Sequence, residues 1–375
     1  MMKKSIFAVA VASVLTLGAA QAETVLYGSI RYDYESKKDN AIAKDTSGNV
    51  LKKFNSNRVS NLSDAGSRIG LKGSEDLGNG NAVIYNLEWG FNGMEQPANG
   101  SSSAGGFENR LAVLGLTGNW GTFTAGRQHN PFKVTIVDDS VADGFNGSHI
   151  KTSAAQRAMT TTLLGGQYVG EAKLSRVGKV IAYTTPDFAG FSANVALMMD
   201  KDLNKEVNSA GVNKQKNIDL WTINAKYAYD LGANGQILAK AGYIDGKLQD
   251  NKSAKAWGLF LGYIADQFAV TADYASGNHK PEANTTKEKS KGWDLGASYS
   301  FGANNFSTVR AAYGQNEFKV ADSKTKVKSW AVGFEQKLST RTRAWVEYGQ
   351  EKQTTRNSKA SVKDNVISIG MRHDF

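Results

Sequence analysis

Five arginines and three aspartates have the types and spacing that point to chemistry in this chain. Arg68 alternates with Ile69 and Leu71, Arg110 with Leu111 and Val113, and Arg176 with Val177, while Arg31 lies between Ile30 and Tyr32. Alternation at a period of two marks an extended segment with one apolar and one wet face, and the base belongs to the wet one. Arg127 ends a further segment of the same kind and is a fifth basic residue. A guanidinium stays charged even beside other cations, so a set of them attracts anions at any ordinary pH. The acids come as a run: VDDSVADGFNG, residues 137–147, carries Asp138, Asp139 and Asp143 with no positive charge among them. Any one of these charges reads equally well as a solvated strand or loop residue. Four bases on four wet faces are harder to explain that way.

Catalysis is poorly supported. The four histidines are scattered at 129, 149, 279 and 373, with no nucleophile and base in a recognisable arrangement for an outer-membrane hydrolase. There is no cysteine, and no spaced acidic loop or His cluster forms a metal-binding pattern. Neither metal nor cofactor is expected. GLKGSEDLGNG, residues 70–80, is a strand and turn with no helix behind it, so it is not a phosphate cradle.

The elements that must position these charges are strands. In WDLGASYSF, Trp293, Leu295, Ala297, Tyr299 and Phe301 share one face while Asp294, Gly296, Ser298 and Ser300 share the other. SWAVGFEQKL (329–338) and FAVTADY (268–274) repeat the pattern, and no convincing stretch has helical period. Sixteen strands are predicted, at 24–35, 66–76, 81–93, 108–117, 121–128, 176–186, 190–200, 217–229, 235–246, 254–264, 267–276, 291–301, 306–317, 328–338, 341–350 and 364–375. Tight turns such as DLGNG, GNWG and PDFAG alternate with long Lys- and Asn-rich loops. Pro97, Pro131, Pro186 and Pro281 all fall in connections or at a strand end, as a residue that cannot donate to a ladder should. The 39 glycines are in excess of the usual ~7% and fit a sheet that must curve and close.

These features predict an all-β fold: a 16-stranded antiparallel transmembrane β-barrel with short periplasmic turns and long extracellular loops. A secreted β-sandwich shares the alternation within each strand, but the strand number and the turn asymmetry favour the barrel. The mean hydropathy of −0.40 does not argue against a membrane, because only every second barrel residue faces lipid. Lys3 and Lys4, the apolar run from Ile6 to Ala20 and the small-residue pattern Ala20-Gln21-Ala22 read as a cleaved signal peptide, residues 1–22. The formal charge of +10 falls to +8 without Lys3 and Lys4 and favours anionic surroundings, although export argues against nucleic acid. At the other end VISIGMRHDF carries a strand to the final Phe375. A barrel in lipid must pair that strand with its first, since open edges leave unsatisfied backbone groups.

The sequence resembles the Gram-negative general porins, specifically the neisserial and Pasteurellaceae-type trimeric ones. The resemblance rests on VLYGSIRYDY, SRIGLKGSEDLGNGNAVIYNLEW at 67–89, NRLAVLGLTGNWGTFTAGRQ at 109–128, RVGKVIAYTTPDFAGFSANVAL at 176–197 and the terminal RHDF. It implies one barrel domain over 23–375 whose third loop, 129–175, folds into the lumen and narrows it. Asp138, Asp139 and Asp143 would then face a basic wall of Arg31, Arg68, Arg110, Arg127 and Arg176. Charges of opposite sign across a narrow water-filled lumen give a transverse field. The resemblance further implies a homotrimer latched by the second loop, about 94–107, and a C-terminal Phe375 read by the outer-membrane assembly machinery. Lys-rich loops such as KEKSKG (287–292) fit the phosphates of outer-leaflet lipopolysaccharide or an anion preference in the pore. The expected function is passive diffusion of small hydrophilic solutes and ions with weak anion preference. A substrate-specific channel for anions such as phosphate and a surface adhesin barrel are the alternatives.

Overall fold

The structure, a computed structural model, describes residues 23–44, 47, 49–94, 106–150, 152–171, 173–199, 218–247, 251–281, 286–356 and 360–375. The expected signal segment and most of the second loop, including Pro97, lie outside the described residues.

Eighteen strand segments join in one closed sheet. They are β1 (Glu23–Lys44), β2 (Val50–Asn55), β3 (Val59–Asp64), β4 (Arg68–Gly78), β5 (Asn81–Gly90) and β6 (Glu108–Gly118). There follow β7 (Gly121–His129), β8 (Arg176–Thr184), β9 (Phe191–Met198), β10 (Leu220–Asp230), β11 (Gln236–Gly246) and β12 (Asn251–Ile264). The last six are β13 (Phe268–Pro281), β14 (Glu288–Phe301), β15 (Ser307–Val320), β16 (Ser323–Lys337), β17 (Thr342–Thr355) and β18 (Ser361–Asp374). The barrel nevertheless has sixteen strand positions, because β2, β3 and β4 pair in turn with successive parts of the long β1. They form one interrupted strand. Its break at β3 and β4 has a local cause: the Asp64 carboxylate accepts from the N–H groups of Gly66 and Ser67 at 2.7 and 2.8 Å, a side-chain turn that competes with the ladder.

Closure is made by β1 and β18, paired antiparallel from Ser29 opposite Asp374 to Ile42 opposite Ser361. Phe375 completes it: its N–H donates to Gly28 O at 3.1 Å and its carbonyl accepts from Gly28 N–H at 3.0 Å. The ring lies over Gly28, where a β-carbon would meet Phe375 Cζ at 2.4 Å. The backbone at this rim needs a residue without a side chain.

On β14 alternation behaves as the sequence predicts. Trp293, Leu295, Tyr299 and Phe301 are exposed on the outer wall, whereas Asp294 is buried inside. Two aromatic bands bound the apolar zone. Trp221–Tyr243, Trp257–Tyr274, Trp293–Tyr313 and Trp330–Tyr348 form the band nearer the long loops, with ring centroids 5.1–5.4 Å apart. Trp293 and Phe301 are ~27 Å apart along their strand, or ~20 Å after a ~40° tilt, near the height expected of a barrel's lipid belt.

The late strands run longer than predicted, to 14 or 15 residues each from β12 to β18. About 9–11 residues suffice to cross a membrane. The extra length lies toward the long loops, above the Trp–Tyr band, where outward residues need not be apolar and alternation fades. Short turns gather at the opposite rim with Glu23 and Phe375. Gly78, Asn79 and Gly80 all take positive φ there, as a tight hairpin requires.

Candidate functional site

The interval between β7 and β8 folds inside the barrel. Asn130 caps α1 (Pro131–Ile136), its side chain accepting from Phe132 N–H at 3.1 Å, and Pro131 occupies the first turn, where no N–H is needed. Ser153 caps α2 (Ala154–Leu164). Phe132 and Ile136 of α1 and Met159 and Leu163 of α2 pack with Val177, Val180, Met198, Leu220 and Ile244 of the inner wall in one apolar cluster. Among the described residues the larger apolar cluster is therefore the seam between this loop and the wall. Glycines make that approach possible: a β-carbon on Gly292 would meet Ala154 O at 2.1 Å, and one on Gly277 would meet Thr162 Cγ2 at 2.5 Å. Part of the glycine excess thus makes room for the loop, where curvature alone was expected.

Beyond the apolar seam, wall carboxylates hold the loop by its backbone. Asp294 accepts from the Ala154 and Ala155 N–H groups at 2.7 and 2.9 Å, which satisfies the N-terminus of α2. Glu347 accepts from Asn146 and Gly147 N–H at 2.9 and 2.8 Å. Asp33 accepts from Ser148 N–H at 3.0 Å, and Glu35 from His149 N–H at 2.9 Å. Glu335 accepts from the Asn146 side chain at 2.8 Å and pairs with Arg310 at 3.2 Å. These carboxylates come from β14, β16, β17 and β1, so the loop follows the inner wall from β10 round to β1.

The arginines lie on β4, β6, β7 and β8, and on β17, β18 and β1 beside the anchoring acids. Arg31 on β1 stands directly opposite Arg372 on β18, which stands opposite Arg343 on β17. Arg31 is within electrostatic reach of Arg68, Arg372 and Arg110, and Arg176 of Arg110, Arg127 and Arg68. Glu88 of β5 sits among them, 2.5 Å from Arg110 Nε and 3.8 Å from Arg68 Nε, and also accepts from Tyr27 Oη at 3.1 Å. The structure thus brings three of the five predicted arginines, Arg68, Arg110 and Arg176, around one carboxylate, with Arg31 beside Arg68 and Arg110. Arg127 stands slightly apart and donates from Nε to Asn109 O at 3.0 Å.

Two placements differ from strand parity. Leu111 is buried while Leu114 and Leu116 are exposed, so even-numbered β6 residues face lipid and regular alternation would send Arg110 outward. Glu88 pairs with Leu111 and Trp89 with Asn109, which leaves Arg110 as the extra residue of a bulge. The bulge turns it inward. Val177, expected opposite to Arg176 on the lipid side, is buried in the loop seam. There the ladder skips from Val180 to Val177 and Lys179 takes a φ of 51°.

The three loop aspartates come together, but they are not free. Lys133 bridges Asp138 and Asp143, the latter at 2.9 Å, and Lys240 of β11 meets Asp139 at 2.5 Å. Burial works against the Lys133 ammonium, but Asp143 and Asp138 more than reverse that effect and hold its pKa above the ordinary lysine value. Two lysines thus offset most of the charge of three aspartates. Sequence reading missed both lysines, and it missed Arg372 and Arg343 on the basic side. The closure of β18 on β1, applied residue by residue, would have placed Arg372 beside Arg31.

The Gram-negative porin family matches residues 8–356. Over 196 residues the chain is 31% identical to the major outer membrane protein P.IB of Neisseria gonorrhoeae, an alignment covering 52% of this chain and 47% of that one. The chain thus spans about half the length of that relative. With the P.IB protein of Neisseria lactamica the identity is 28% over 381 residues and 100% of both chains. The fold is similar to that of an anion-selective porin from Comamonas acidovorans, with a TM-score of 0.63 and 21% identity over 95% of this chain and 100% of that one. With a closed sixteen-position barrel, an apolar outer belt and a lumen divided by charge, this outer-membrane chain belongs to the family of Gram-negative porins.

Proposed function

We propose that the protein is a general diffusion porin, passing small hydrophilic solutes and ions with a weak preference for anions. The observation that carries this reading is the division of charge inside the barrel. Wall carboxylates anchor the loop, and the loop's own aspartates are paired with Lys133 and Lys240. Arg31, Arg68, Arg110, Arg127 and Arg176, joined by Arg372, share few carboxylates on the facing wall. The loop over 129–175 is the constriction, and these arginines are its basic side. Two unit charges ~10 Å apart in water interact by only ~0.4 kcal/mol, so each arginine biases passage without trapping the ion.

The reading is of a channel and not of an enzyme, in keeping with the porin family match. Residues 1–22 act as a cleaved signal, 23–375 form one domain, and the working unit is a homotrimer, as the resemblance to neisserial porins implies. Phe375 serves as the assembly signal on the same ground. Planar-bilayer recording under a potassium chloride gradient tests the channel reading. Stepwise conductance with an anion-directed reversal potential is expected, and Arg31→Gln/Arg68→Gln/Arg110→Gln should move that potential toward cations. Insertion without conductance would overturn it in favour of a plugged barrel whose loops carry the function, and saturable flux of one anion would favour a substrate-specific channel.

A further inference from the structure

The carboxylate inside the arginine cluster is held there by the strands around it. Tyr27 of β1, Gly70 of β4 and Glu88 of β5 form a single row across the sheet. Gly70 has no side chain, so the Tyr27 ring lies across it, where a β-carbon would meet Tyr27 Cζ at 2.6 Å. The phenol hydroxyl thereby comes within 2.7 Å of Asn86 Oδ1 and 3.1 Å of Glu88 Oε2. The same device recurs on the other side of Glu88. Gly90 leaves room for the Arg110 stem, since a β-carbon there would approach Arg110 Cδ to 3.1 Å, and the bulge between β5 and β6 turns Arg110 onto Glu88 Oε1. Glu88 is only 5% exposed. Its neighbours, and not solvent, fix where its charge lies.

The cluster is otherwise short of acids. Arg68 and Arg110 share Glu88, and Arg31 and Arg176 lie within electrostatic reach of both. Asp374 is taken by Arg372 and Arg343. Arg31 Nε donates to Ser29 Oγ at 2.9 Å, but its Nη2 is buried with no acceptor among the described residues. Guanidiniums that converge with no acid among them bind a multivalent oxyanion through charge-assisted, bidentate hydrogen bonds. We infer that Glu88 sets the anion specificity of the pore: its charge weakens the cluster's hold on divalent oxyanions such as sulfate, so that they pass without lodging. Glu88 is thus a specificity-determining residue, and Tyr27 a positioning residue that seats it. Coulomb's law gives the size of the effect. Removing a unit charge ~6 Å from a divalent anion in water-like dielectric changes its affinity by about tenfold. The inference rests on the channel reading above and deepens it by naming the solutes that the basic side must release.

The test is planar-bilayer recording of the native chain and of Glu88→Gln in potassium chloride, with potassium sulfate added in steps. At ~0.1 M salt, where charges act over ~10 Å, sulfate should block the chloride current of Glu88→Gln at about tenfold lower concentration than that of the native chain. The variant's reversal potential should also move further toward anions. At ~1 M salt the screening length falls to ~3 Å, and the two conductances should agree if the lumen keeps its shape. Glu88→Gln/Arg68→Gln removes one charge of each sign, which avoids stranding a buried guanidinium without its partner. Its sulfate block should be severalfold weaker than that of Glu88→Gln. Equal block in the native chain and Glu88→Gln would overturn the inference, as would equal block in the single and double variants. Conductances that already differ at ~1 M salt would assign Glu88 to the shape of the lumen and overturn it too. A native chain that inserts without conducting would instead defeat the channel reading, so the two failures are distinguishable.

Discussion

Lys133 decides how acidic the loop inside the barrel is. It lies four residues before the acidic run and bridges Asp138 and Asp143, so Lys133→Met should leave two carboxylates unopposed in the lumen. The expected outcome is a reversal potential shifted toward cations, measured in the same bilayer gradient. Asp138→Asn/Asp139→Asn/Asp143→Asn should shift it toward anions, because Lys133 and Lys240 are then unopposed; an unchanged potential would remove these residues from the constriction. The pH dependence follows from the raised Lys133 pKa. A base whose folded pKa lies above its unfolded value contributes stability that is complete below ~10.4 and is lost as pH rises through the folded value. Lys133 therefore stays charged up to about pH 9, and the native selectivity should be flat from about pH 8 to about pH 9, above the ordinary histidine range. Alternation along one strand was enough to read Arg31 and Arg68 as lumenal. It could not reveal Lys240, a partner about a hundred residues from Asp139, because cross-barrel contacts leave no trace in local period. Nor could it anticipate the bulge that turns Arg110 inward, since bulges break the period on which the reading depends.

At the scale of elements, the loop is held by the wall and contributes little to the wall's own integrity. The ladder from β9 to β18 would persist without it, whereas α1 and α2 have no other support. Glu347→Ala removes the acceptor of the Asn146 and Gly147 N–H groups. A hydrogen bond to a charged group is worth about 1.5–3 kcal/mol, enough to populate a loosened loop tip. Single-channel records of this variant should show larger current noise, while heat-induced unfolding of the barrel moves little. Gly292→Val offers a harsher version of the same test. It pushes a side chain into Ala154 O and should displace the start of α2, with similar noise. Sixteen strand positions were legible in the sequence because lipid demands an apolar residue at every second place. The polar extensions of β12 to β18 were not, since above the lipid that demand ends. The two helices were also missed: their apolar residues pack against a mostly apolar wall, and short segments give weak period.

For the molecule as a whole, closure depends on one end of the chain meeting the other. Phe375 contributes to it in two separable ways: the reciprocal backbone bonds with Gly28 and the ring that covers Gly28 on the outer wall. Phe375→Ala keeps the bonds and removes the ring, whereas deleting Phe375 removes both. Two net hydrogen bonds are worth about 1 kcal/mol each, so the deletion should lower the stability of protein refolded in detergent by about 2 kcal/mol more than the alanine variant does. If the ring acts mainly as an address read by the assembly machinery, Phe375→Ala should refold in detergent almost as well as the native chain yet reach the outer membrane poorly in cells. If it acts mainly as a structural seal, refolding and cellular insertion should fall together. Gly28→Val separates these further. It leaves the terminal residue intact for any receptor but presses on both the ring and Arg68 O of the neighbouring strand, so it should impair refolding in detergent while the exposed C-terminal strand is still delivered to the membrane.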